Sequence, residues 1–278
     1  MSRWTIDEPT TLAFDGVVAL KVTLITGSVN VLAGGDKPSI EISEVEGPPL
    51  TVAHEAGMLT VTHEKLWEGV LNWLRTQRVR AVVTVTVPRD CPVTLNLVSA
   101  DAVVTGLAAR TSIKTGAGDV TLDGVTGAVD VNTVAGAVEA QGVDGTVSFT
   151  SVSGDLALAG GVVERLSARS GSGRIAADVA LAQGGSVEVN TVAGEITLRV
   201  PDGTGATVHL NAAAGRIETS FPGLERQDRP VGSTVTGTVG DGSGRVAVSS
   251  VAGGVTLLGR PADDPDGPAG ITTPGMEK

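Results

Sequence analysis

The chain contains no tyrosine, and only three phenylalanines and three tryptophans among 278 residues. That shortage excludes an interior filled by aromatic rings. The core has to be built from Val, Leu, Ile and Ala, which suit a narrow stacked β interior better than a thick sandwich. Cysteine is nearly absent as well. Cys91 alone cannot form an intramolecular disulfide, so no oxidising compartment is implied, and beside Pro92 it reads as a small apolar residue. No window of about 18 apolar residues occurs, which excludes a membrane-spanning helix. The opening MSRWTIDEPTTLAFDG has neither the basic nor the apolar part of a signal peptide, so a cytoplasmic location is expected. Basic residues are outnumbered: 20 Lys and Arg against 31 Asp and Glu give a net charge of -11. Such a charge repels phosphate backbones, argues against nucleic acid as the main partner and weakens attraction to an anionic membrane.

Glycine is abundant, with 38 residues, and it is placed periodically. Between residues 116 and 219 one phrase returns: an apolar or small residue, Ala or Ser, Gly, a variable residue, then two apolar residues separated by one. Its glycine stands at 118, 136, 154, 173, 194 and 215, giving steps of 18, 18, 19, 21 and 21. A period near twenty is the signature of stacked coils, each too small to bury its own apolar face. From Val129 to Val138 across the glycine is nine residues, and the same count separates 147 from 156, 166 from 175, 187 from 196 and 208 from 217. The opposite connection lengthens through seven, seven, eight, ten and ten residues. Inward ladders of Val129, Val147, Leu166, Val187 and Val208, and of Val138, Leu156, Ile175, Ile196 and Ile217, are predicted. The expanding edge at 160–165, 180–186 and 201–207 is the expected recognition surface.

Outlying coils extend the pattern. ALKVTLITGSVNVL at 19–32 puts Gly27 in the repeat position and Leu20, Val22, Ile25, Val29 and Val31 inward. The register resumes at Val93, with Ala100 in the glycine position, and again at 244–257. Residues 36–92 interrupt the period with four strand-like runs and a hairpin turn at Ala56 and Gly57, an antiparallel insertion that covers one end of the stack. Residues 220–243 form a second, loop-like insertion, and residues 260–278 are too rich in Pro, Gly and Asp to fold. The domain reading is one β-solenoid over 1–259. Within the first insertion, KLWEGVLNWLRTQR at 65–78 places Trp67 and Trp73 at helical spacing beside Arg75 and Arg78. These four residues are the candidate contact for a partner protein or, peripherally, a membrane. The same tryptophans also suit a plug for the end of the stack.

The phrases SVSGDLAL, GAGDVTL and TVAGEITL, with Trp4 leading into a first strand and TVTVP at 84–88, resemble the bacterial toast-rack family. This is a β-strand-repeat family of unknown function whose members carry the label of candidate adhesins. The resemblance runs from about Trp4 to Gly259. It implies a single-stranded, right-handed β-solenoid, often encoded with membrane-stress or regulatory proteins, and it brings no catalytic residues.

Residue chemistry points the same way. His54 and His63 lie about 13 Å apart on a hairpin, too far to share a metal. His209 alternates with inward residues and should face solvent. Asp101, Asp119 and Asp155 occupy the position after the corner glycine, which in the first case is Ala100, without the nine-residue repeat of a calcium array, and read as solvated charges. Asn190 and Asn211 are expected to stack. No nucleophile elbow, phosphate loop or Cys/His cluster occurs, so no catalytic, cofactor or metal residue is assigned. The expected function is a non-catalytic binding or scaffold module. A carbohydrate-active β-helix enzyme and a cell-surface adhesin are the alternatives.

Overall fold

A computed structural model describes residues 2–35, 37–63, 79–228 and 232–261. Among these residues the regular elements are 22 strands. The amino-terminal group is β1 (Ser2–Ile6), β2 (Thr10–Ala13), β3 (Ala19–Ala33), β4 (Ser39–Glu46), β5 (Leu50–Glu55), β6 (Met58–His63) and β7 (Arg80–Val87). The central group is β8 (Val93–Thr105), β9 (Thr111–Ala117), β10 (Val120–Asp123), β11 (Thr126–Thr133), β12 (Val138–Gln141), β13 (Asp144–Ser151), β14 (Leu156–Ser170) and β15 (Ile175–Thr191). The last group is β16 (Ile196–Pro201), β17 (Ala206–Ala212), β18 (Ile217–Thr219), β19 (Glu225–Asp228), β20 (Ser233–Val239), β21 (Gly244–Ser250) and β22 (Val255–Arg260).

The coils stack as a β-solenoid with two parallel faces. The face that follows each corner glycine runs β7, β3, β8, β10, β12, β14, β15, β16, β22, β18. The other runs β6, β3, β8, β9, β11, β13, β14, β15, β21, β17. Alternation decides what is inside: Val129, Val131, Val147, Phe149, Leu166 and Val187 are buried on one face, and Val138, Leu156, Ile175 and Ile196 on the other. Leu20, Val22, Ile25, Val29 and Val31 are buried as expected, and Leu24 joins them. Val98 and Val134, which share the register of Ile25, instead stand half exposed at the corner.

Neither end of the stack follows chain order. Val208 does not pair with Val187, and Ile217 does not pair with Ile196, as the predicted ladders required. Val246 lies between the first pair and Val255 between the second, because β21 and β22 slot in between two coils that precede them. Asn190 and Asn211 are likewise separated by Ser249. The first end mirrors this. β3 is sandwiched between β8 and the outermost coil, which is made of β6 and β7. The 36–92 insertion is therefore partly antiparallel cover and partly a coil of the solenoid. Antiparallel strands finish both ends: β5, β1, β4 and β2 at one, β20 and β19 at the other.

The corner glycines are required by contact. A Cβ on Gly136 would run into the carbonyl oxygen of Gly118, and one on Gly194 into that of Gly173. One on Gly253 would meet the Gly194 oxygen and one on Gly215 the Gly253 oxygen, so the glycine column confirms the interleaved order. Below it runs a buried hydroxyl column. Ser151, Ser170, Thr191 and Ser250 each accept the N–H of the glycine three residues on, at 2.6, 2.9, 3.0 and 2.9 Å. A hydroxyl there satisfies a backbone donor that the tight corner would otherwise bury unpaired.

Candidate functional site

The segment holding Trp67, Trp73, Arg75 and Arg78 lies outside the described residues, which stop at His63 and resume at Val79. His63 is 1% exposed, and its Nδ1 accepts the N–H of Ile25 at 3.4 Å. Burial pushes its pKa down to about 4. His54 pairs opposite Leu59, as the hairpin predicted, and His209 is exposed. Asp101, Asp119 and Asp155 are exposed but not idle. Each carboxylate accepts the N–H of the residue at its own position in the next coil, Asp119, Ala137 and Arg174, at 2.9, 2.8 and 2.7 Å. Among the described residues no cluster of three or more His, Cys, Asp or Glu could hold a metal.

The expanding edge does carry a cavity. Coils β15 and β16 pair up to Asp178 and Arg199, and there the ladder ends. β16 is next to β15 on one face, whereas the strand it leads to, β17, lies beyond β21 on the other. The connection must therefore climb two coil heights, about 9.6 Å at roughly 4.8 Å per strand. A wedge opens between the diverging chains. It forms a cleft of about 600 Å³ with Ala180, Leu181, Ala182 and Gln183 on one wall, Pro201 and 203–205 on the other, and Asp241 and Ser243 closing the end. At the opposite end of the stack the corresponding step, at 88–92, is packed: Val17 and Cys91 are buried there, and Leu20 donates its N–H to the Pro92 carbonyl.

Charges fix the fork. Asp178 receives Arg199 Nε on one carboxylate oxygen at 2.7 Å and lies 3.0 Å from Arg260 Nε with the other. Two arginines thus flank this one acid, one at each carboxylate oxygen. Among the described residues of the cleft lining Asp241 is the one ionisable group, and its carboxylate accepts the Ser243 N–H at 3.0 Å. The hydrogen bonds from Ser243 hold its pKa below the usual carboxylate value. Sequence reasoning located the edge from its lengthening connections. It missed Asp241 and Ser243, because they come from the loop-like insertion that it read only as an interruption.

Fold and cleft together define a stacked β-solenoid with one open edge. The chain belongs to the Toastrack DUF4097 family, whose pattern matches residues 19–258. Solved structures resemble it distantly. A candidate lipid-binding protein from Parabacteroides distasonis is 13% identical, with 91% of this chain and 97% of that one covered and a TM-score of 0.41. A candidate adhesin from Bacteroides fragilis is 15% identical over 90% and 97% of the two chains, with a TM-score of 0.41. A candidate cell-adhesion protein from Clostridium sporogenes is 13% identical over 91% and 100%, with a TM-score of 0.27. No curated protein matches the chain.

Proposed function

We propose that this chain is a non-catalytic binding or scaffold module whose contact surface is the expanding edge. The observation that carries the reading is the fork cleft, a cavity of about 600 Å³ lined by small residues and backbone with a single carboxylate. Glycan cleavage ordinarily uses two carboxyl groups about 5 to 10 Å apart across the scissile bond, which this lining does not offer. The partner expected is a protein, in keeping with a net charge of -11 that disfavours nucleic acid.

The test is capture of partners from the native cell on immobilised protein, comparing wild type with Gly203→Trp. Gly203 lines the cleft and is exposed, and a Cβ at this position would have no atom within 4 Å, so a bulky indole can be placed at the cleft wall without disturbing the coil. A partner retained by wild type and lost by Gly203→Trp supports the reading. Equal capture by both removes the cleft as the contact surface. The Trp67→Ala, Trp73→Ala double variant asks the same question of the 65–78 segment.

A further inference from the structure

We infer that the fork cleft accepts one strand of a partner protein: an extended peptide that pairs with the free backbone edge at 179–183 and carries a basic side chain toward Asp241. The inference rests on the binding-module reading and gives it a partner class.

A ladder is left unfilled at the fork. On its amino-terminal side β15 pairs with β14 through Ala180 and Leu181, opposite Val162 and Val163. On the other side it pairs with β16 only as far as Asp178 and with β21 only from Ser186 onward. Among the described residues, 179–185 therefore have no strand partner on that side. Successive residues of a strand direct their N–H and C=O groups to opposite sides, so part of this backbone faces the cleft without a ladder.

The spacing suits a single strand. The diverging chains stand one strand spacing apart at Asp178 and Arg199 and two where β21 lies between β15 and β17, so the cleft widens toward the room of one strand, at about 4.8 Å from each wall. The molecule already fills that slot once: β21 occupies it between β15 and β17, and the Gly244 N–H reaches the Gly205 carbonyl at 2.9 Å. Asp241 and Ser243, which precede Gly244, end that slot, and the cleft lies between them and the Asp178–Arg199 pair, so strand addition against 179–183 repeats a pairing found within the fold.

The edge also lacks protection. Exposed edges are normally blunted by charge or proline. The outermost strand β19 follows that rule, with Glu225, Arg226, Gln227 and Asp228 all exposed. The internal edge at Ala180, Leu181 and Ala182 carries no charge. Asp241, the one ionised group in the lining, selects a cationic side chain on the incoming strand.

The test pans a phage-displayed random dodecapeptide library against the full-length protein, then measures a selected synthetic peptide by amide hydrogen exchange. Selected peptides should alternate β-branched residues, carry a Lys or Arg, and slow exchange of those 180–182 amides that point away from β14. Affinity should fall about tenfold in Asp241→Asn, and at least tenfold when alternate amides of the peptide are N-methylated. Equal binding of the N-methylated peptide overturns the proposal, as does failure to enrich any peptide. So does slow exchange in the free protein of those 180–182 amides that point away from β14, since another segment of the chain would then already fill the edge. If Gly203→Trp abolishes capture of a natural partner while no peptide is selected, strand addition fails and the binding-module reading stands. If Gly203→Trp leaves capture unchanged, that reading fails on its own terms.

Discussion

At the residue scale, the repeating phrase is a set of solutions to one crowded corner. Thr191 is 5% exposed, and its hydroxyl accepts the Gly194 N–H at 3.0 Å. Thr191→Val keeps the shape and removes the acceptor, which leaves a buried donor unpaired at a cost of about 1–3 kcal/mol. Urea unfolding should show that loss, and Thr191→Ser should recover most of it. His63 follows Thr62, the partner of Thr23, and so takes the place that hydroxyls hold in later coils. Its folded pKa of about 4 lies below the ordinary 6.5 because burial disfavours the charged ring. Its stabilising contribution is complete above pH 6.5, where the ring is neutral in both states. It is lost as pH falls from 6.5 through 4, because only the unfolded chain takes up the proton. The full shift is worth about 3 kcal/mol. His63→Thr should start less stable at pH 7, since it leaves a cavity, yet lose about 2–3 kcal/mol less than wild type between pH 7 and pH 4.5. Parallel pH profiles for the two proteins would show that His63 does not carry this dependence.

At the scale of the element, strand order is where sequence and structure part. The coils were legible because alternation and the corner glycine are local. Val129, Val131 and Val138 can be read inward from the pattern alone. The order of the last coils was not, because Val208 and Val246 sit in equivalent phrases and nothing in a repeat states which copy lies next to Val187. The half-exposed Val98 and Val134 differ from the buried Ile25 of the same register because at a corner the period-two rule stops applying, since the chain is turning. The cleft was half legible. Lengthening connections marked the edge, while the wedge itself is a product of the interleaving. That interleaving can be tested with cysteine pairs. Glu188 lies opposite Ala247 in the adjacent strand, and His209 is one strand further. Under oxidation the pair Glu188→Cys, Ala247→Cys should form a disulfide, with Cα atoms about 4.8 Å apart, whereas Glu188→Cys, His209→Cys at about 9.6 Å should not. Cys91 will not interfere, because it is buried and its thiol is pushed up to about 11. The reverse outcome would restore the simple chain-order stack.

At the scale of the whole molecule, the interleaved ends make a repeat protein behave unlike a divisible one. In a plain solenoid each coil touches only its neighbours, and stability is close to a sum over coils and interfaces. That description suits the middle of this chain. Residues 119–136 make one 18-residue period, and their removal joins Gly118 to Ala137 and brings Ala102, the present partner of Val120, against Val138. The shortened protein should fold with an unchanged β spectrum by circular dichroism and a melting temperature lower by only a few degrees. The carboxy-terminal end should respond differently. Ending the chain after Thr219 removes β21 and β22, which separate β17 and β18 from the rest of the stack. β17 and β18 would then have to shift a full coil to meet β15 and β16, across a connection already set to climb two. That truncation should lose cooperative unfolding or aggregate through the exposed edges of β15 and β16. A truncated protein that melted as sharply as the 18-residue deletion would mean that the last coils are independent units, and that their interleaving is incidental to how the fold holds together.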